Sequence, residues 1–200
     1  MDANGLIQDC RNGKRDFSAI ILHGANLSGI DLRGINFSNA DLSSCNFSNS
    51  DLSSADFKGA ILNRTNFSGA ILRNADFLNA EMSNADLRNV QIDNTSFRGA
   101  NLMFAHLCGN DLVKANLNDA KLDWSCLVGS KMTQEQIVSL PKQAMVATVM
   151  NQEQQPMQSG YKSMLIAQEN NIYKMRTTED IISANYKFQI VESKGKKNYC

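Results

Sequence analysis

Stepping by five from Phe17, the chain places a large apolar residue at all 23 positions through Leu127, with no break in phase. Two residues before each of these the chain is mostly small: 12 of the 23 are Ala, and Cys45, Ser50, Thr65, Val90, Thr95 and Ser125 continue the pattern. The position between is Asp or Asn in 14 cases, and two residues after the large apolar position stands Gly in 8 cases or Asn in 7. A period of five fits neither the helix at 3.6 nor the simple strand at 2. It does fit a three-residue extended segment, small, polar, large, whose first and third side chains point the same way. A turn must then follow, and Gly and Asn accept its unusual backbone angles. A chain that turns every five residues and keeps its apolar side inward has to coil, with the polar middle residue facing solvent.

The phenylalanines set the number of sides. Phe17, Phe37, Phe57, Phe77 and Phe97 lie 20 residues apart, as do Phe47 and Phe67. Four sides per coil would gather them into two columns of stacked rings, because adjacent coils sit about 4.8 Å apart. Residues 15–132 then make roughly six coils, each touching only its neighbours.

Runs such as ANLSG, ADLSS, ADFKG, TNFSG, ADFLN, ADLRN and ANLND resemble the pentapeptide-repeat family over residues 15–132, including a weaker last unit at Met132. The opening GKRDFS after a short helix-like segment is similar to the N-termini of cyanobacterial members. The resemblance implies an all-β protein, a right-handed four-sided β-helix. It also implies a non-enzymatic role in protein binding or regulation, since members of known role regulate signalling or development, while quinolone-resistance members mimic DNA and bind gyrase.

Both ends of such a coil expose core and strand edges and therefore need caps. Leu6, Ile7 and Cys10 occupy one face of a short helix ending at Asn12-Gly13, so residues 1–14 are expected to plug the N-terminal end. Thr133-x-x-Gln136 is a capping-box pattern opening a helix with Ile137, Val138 and Leu140, interrupted at Pro141 and resumed through Ala144, Met145, Val149 and Met150. Residues 133–150 thus read as a second cap. Residues 151–160 read as a polar linker, and the remainder of 151–200 as a small α/β appendage or a partly disordered tail.

Composition narrows the function. Twenty Lys and Arg balance twenty Asp and Glu, which excludes the basic excess that nucleic acid or an anionic membrane requires. Residues 15–132 hold 12 acidic and 10 basic residues, too small an excess to imitate a polyphosphate, so the gyrase-binding DNA mimic is only an alternative. No window approaches the 18 apolar residues of a membrane span. The five cysteines form no CxxC pair and the start lacks a secretory signal, so reduced thiols in a cytoplasmic protein are expected. With only His23 and His106, no Gly-rich phosphate loop, and acidic residues explained by the repeat, no catalytic residue and no cofactor are expected.

Three surface groups stand out. His106 and Cys126 occupy middle positions one coil apart and Cys108 follows His106 outward, a set of soft ligands for zinc or a reactive thiol site, against ordinary drift at surface positions. Phe104 and Trp124 replace Gly or Asn at one corner of successive coils beside Met103, an aromatic anchor for a protein partner or a seat for the C-terminal segment. Arg33, Arg73, Lys58, Arg98 and Arg88 disperse over three sides, as a solvated surface does. The reading that follows is a cytoplasmic protein-binding scaffold contacting its partner through Met103, Phe104 and Trp124, with residues 151–200 as a docking arm or homodimer contact. Asn110, at a small inward position, should need a backbone or water partner.

Overall fold

The computed structural model describes residues 2–141. The continuation of the second cap past Pro141, the linker, the appendage and Cys200 lie outside the described residues. From Asp16 to Lys131 the backbone coils so that, with the exception of Gln91, each middle residue up to Asp111 forms a parallel bridge with the residue 20 positions on, as in Asp16 with Asn36, Asn36 with Asp56, and Asp56 with Asp76. Twenty residues at five per side give four sides, as the phenylalanine spacing requires.

Every backbone donor in the unit Ala40–Ser44 is accounted for. The Ala40 N–H closes the preceding turn on the Phe37 carbonyl (3.1 Å), and the Asp41 N–H reaches down to Ile20 (2.8 Å). Leu42 and Ser44 reach up to Ile61 (2.8 Å) and Asn63 (2.9 Å). The fifth donor, the Ser43 N–H, goes to the carboxylate Oδ1 of Asp41 two residues back (3.2 Å). That last bond is an Asx turn, and it recurs at Asn36, Asp51, Asp56, Asn66, Asp76 and Asn116. The middle residue is therefore Asp or Asn because its side chain completes the turn, a requirement stricter than facing water. Where Glu81 breaks the rule, the Ser83 N–H is rescued by Asn63 Oδ1 of the coil below (3.0 Å).

The residue closing each turn has positive φ, near +60°, at 22 of the 23 corners, Lys114 being the exception. Glycine accepts this backbone without strain and asparagine with little. At Gly59 space matters too, since an added Cβ would lie 2.7 Å from Oδ1 of Asn39, whose amide folds under it from the coil below.

Inside, the phenylalanines form the two expected columns. Phe57 and Phe77 stack at 4.8 Å and 4°, Phe77 and Phe97 at 5.1 Å and 13°, and Phe47 and Phe67 at 5.4 Å and 9°. Between columns the rings meet edge to face, as Phe67 does with Phe77 at 86°, so both favourable quadrupole geometries are used. The inward hydroxyls of Thr65, Thr95, Ser125 and Ser130 all donate to backbone carbonyls.

Asn110 is 3% exposed and finds the backbone partners it needs. Its Nδ2 donates to Leu87 O (2.7 Å) and Leu107 O (2.8 Å), and its Oδ1 accepts from the Val90 N–H (3.1 Å). On this side the described bridges run up to Gln91 and resume between Asp111 and Lys131, so the amide stands in for a missing rung.

Two helices flank the coil, α1 (Ala3–Arg11) before it and α2 (Gln134–Ser139) after it. Asp2 caps α1 by accepting from the Gly5 N–H (2.8 Å), and Leu6 and Cys10 are buried against the first coil. Arg15, at a small inward position, turns its guanidinium out to the carbonyls of Cys10 (2.8 Å) and Lys14 (3.0 Å). In α2, Thr133 and Gln136 form a capping box, while the Gln136 amide also donates to the carbonyls of Leu112 (2.8 Å) and Ala115 (2.9 Å) on the top coil.

Two substitutions test this packing by urea denaturation. Leu62→Ala, which empties part of a fully buried column, is expected to destabilise by about 2–5 kcal/mol. Asn110→Ala should cost about 1–3 kcal/mol by leaving buried backbone groups unpaired, and midpoints within error of wild type would contradict both assignments.

Candidate functional site

Met103, Phe104 and Trp124 share one corner of the coil. Phe104 has φ +59° and Trp124 φ +60°, both in the left-handed region where most of the other corners place Gly or Asn. A bulky aromatic there is a strained choice. Neither ring is drawn into the core: Phe104 is 47% and Trp124 55% exposed. The backbone beneath them is regular, the Phe104 N–H donating to Asp123 O (3.1 Å) and the Met103 N–H to Asn101 Oδ1 (3.2 Å). Down the same corner the residues become polar, where Ser44, Arg64 and Asn84 line an open hollow of about 480 Å³ with Glu81 at its side. Ser43, Asn63 and Ser83 complete the lining of the hollow.

The next face carries His106, Cys108 and Cys126. Cys108 and Cys126 are joined by a disulfide, with Cα atoms 5.6 Å apart. The expectation of reduced thiols is corrected here: Cys10 and Cys45 are free, while the pair on this face is oxidised. Residue 126 is a middle position on the outer face, yet it is covered and only 7% exposed. His106 lies one coil below it, bridged to it through the backbone. Zinc binds thiolates, and a disulfide offers none. Among the described residues, no group of three His, Cys, Asp or Glu side chains is placed to hold a metal ion. The CxxC rule missed this disulfide because partners in a coil are brought together at about the 20-residue repeat and not by proximity in sequence.

The dispersed cations are largely neutralised where they stand. Arg33 pairs with Asp31 (2.6 Å), Arg88 with Asp86 (2.6 Å), Lys58 with Asp56 (3.1 Å) and Asp76 (3.3 Å), and Arg73 with Asp93 (3.6 Å). The Arg33 side chain, with help from its own backbone N–H, lowers the Asp31 carboxyl to about 2. Burial pushes Asp86 up, but the Arg88 side chain, its backbone N–H and its charge bring it below the ordinary value. Asp41 is lowered first by the Ser43 hydroxyl and further by His23. No helix among the described residues is long and apolar enough to cross a membrane.

These features define a β-helical repeat protein whose distinguishing surface lies at its C-terminal coils. The family model described as pentapeptide repeats (8 copies) matches residues 20–59, 50–89, 60–99 and 95–134, more than half of the chain, which therefore belongs to the pentapeptide-repeat family. It is similar to the crystal structure of HetL, a pentapeptide repeat protein involved in heterocyst differentiation regulation in the cyanobacterium Nostoc sp. strain PCC 7120. The identity is 27% over 65% of this chain, with a TM-score of 0.54. The match spans 61% of HetL, less than two thirds of its length, and supports a right-handed β-helix. A pentapeptide repeat protein of the Arabidopsis thaliana thylakoid lumen shares 29% identity over 62% of this chain and 84% of its own, at a TM-score of 0.43. QnrB1, a plasmid-mediated fluoroquinolone resistance protein, shares 19% over 62% and 86%, at 0.39. No curated protein sequence matches the chain.

Carboxylates whose acidity is increased by folding stabilise the coil above their unfolded values, and that stabilisation is lost as pH falls through the folded ones. Thermal stability should therefore hold near neutrality and decline from about pH 4 towards pH 2. Asp31→Asn should flatten the lower part of that decline, and an unchanged profile would contradict the Asp31–Arg33 assignment.

Proposed function

We propose that this pentapeptide-repeat rod is a non-catalytic, cytoplasmic interaction module that regulates a protein partner, contacting it through Met103, Phe104 and Trp124. The observation that carries the reading is the pair of half-exposed aromatics at left-handed corners of neighbouring coils. Asn or Gly would serve the turn better, so the rings are there for something outside the turn. Aromatic residues backed by rigid structure are the residue type on which binding energy concentrates. The likeness to HetL, a regulator of differentiation, supports a regulatory role.

A near-neutral rod whose cations are paired with its own carboxylates favours a protein partner over nucleic acid, membrane or a polyphosphate mimic. The same charge balance weighs against the gyrase-binding alternative. Residues 151–200 serve in this reading as a docking or homodimer arm, and a full-length chain that stays monomeric at all concentrations would remove the homodimer.

The test separates binding from folding. Affinity capture from the native source with wild-type protein should retain one partner stoichiometrically, and Trp124→Asn should weaken its binding at least about 30-fold. The variant should unfold at an equal or higher denaturant concentration, because Asn suits positive φ. Equal capture by wild type and variant would overturn the reading.

A further inference from the structure

The structure assigns Cys108 and Cys126 as a reversible dithiol–disulfide site that controls whether the last described coil is held to the one beneath it. The four described cysteines divide sharply. Cys10 and Cys45 are buried free thiols, and the Cys45 Sγ donates to the Leu22 carbonyl (2.8 Å). Burial pushes both thiols above the ordinary value, which keeps thiolate scarce. The oxidised pair is on the outer face: Cys108 sits half-buried at a turn beside Gly109, and Cys126 is the covered member.

The bond crosses diagonally between coils. Backbone bridges join residues 20 apart, whereas Cys108 and Cys126 are 18 apart, so the disulfide adds a contact that the ladder does not make. Its position is what gives it leverage. In a coil stack each layer is held only by its neighbours, so the last layers open first. Residues 116–131 pair with the coil below through Asn116, Lys121, Cys126 and Lys131, while the Gln136 amide of α2 ties to Leu112 and Ala115. Cys126 also gives up the Asx turn that Asn26, Asn46 and Asp86 provide on the same face, so the residue there does not serve the repeat.

Reduction begins at the accessible sulfur. The thiolate of a thioredoxin-type dithiol attacks Cys108 Sγ, the Cys108–Cys126 bond breaks, and Cys126 leaves as thiolate and takes a proton. The second thiol of the reductant then displaces Cys108, leaving two protein thiols and an oxidised reductant, with two electrons and two protons transferred. Oxidation runs through a low-molecular-weight disulfide of the glutathione type: Cys108 thiolate attacks it and releases one thiol, and Cys126 displaces the other.

The experiment uses the full chain in glutathione buffers of graded oxidation, with and without a thioredoxin-type dithiol. It reads site-resolved alkylation by mass spectrometry and amide hydrogen exchange. The expected result is that Cys108 and Cys126 pass together between blocked and labelled in the folded protein, while Cys10 and Cys45 label only after unfolding. Reduction should raise exchange in residues 116–131 by about tenfold or more and leave residues 56–76 unchanged. Trp124, the only tryptophan and two residues before Cys126, should report the same transition by its fluorescence. The variant Cys108→Ser should match the reduced protein in every buffer, and if it does not fold, the wild-type series decides. Thiols that never pair in any buffer, a bond that resists excess dithiol until the chain unfolds, or equal exchange in both states would each overturn the proposal.

Discussion

The whole structure depends on a backbone that turns every five residues and still pairs its donors. In a regular side such as Ala40–Ser44, bonds to the coils above and below take three of the five N–H groups, and the turn takes a fourth. The fifth has no backbone partner, and an Asp or Asn side chain two residues earlier supplies one. This single constraint governs the polar middle position. It also explains why the surface is rich in carboxylates and amides. A carboxylate already accepting a backbone N–H, and often an Arg or Lys beside it, is committed to architecture.

The interior follows from the same geometry. Stacking at the strand spacing places side chains 20 residues apart in contact, so like meets like. Phenylalanine columns profit because offset stacking tolerates that spacing, and the small inward position leaves room for their width. An inward polar residue survives only by bonding to a carbonyl, as Thr65 and Thr95 do. Asn110 does more, occupying the place where a bridge is absent and satisfying three backbone groups at once.

Against so regular a background, departures carry the information. Phe104 and Trp124 stand where the turn prefers Gly or Asn, and Cys126 stands where it prefers Asp or Asn. All three fall in residues 104–126, towards the C-terminal end of the coil. A layered structure concentrates its freedom at its ends, because an inner coil has neighbours on both sides and a terminal one does not. That is where a surface can depart from the repeat at least cost to the stack.

Local pattern alone was enough to determine the coil, its four sides, the inward and outward positions and the phenylalanine columns, because each is a consequence of a fixed repeat length. The candidate corner at Met103, Phe104 and Trp124 was legible for the same reason, as a breach of that repeat. Tertiary structure decided what depends on distances between coils. The Asn110 bonding network, the rescue of the Ser83 N–H by Asn63, and the ion pairs Lys58–Asp76 and Arg73–Asp93 all need the actual stacking. So does the Cys108–Cys126 bond. Sequence marked those two residues as neighbours, but whether their sulfurs would face a metal, the solvent or each other turned on a diagonal offset between coils that period and composition do not encode.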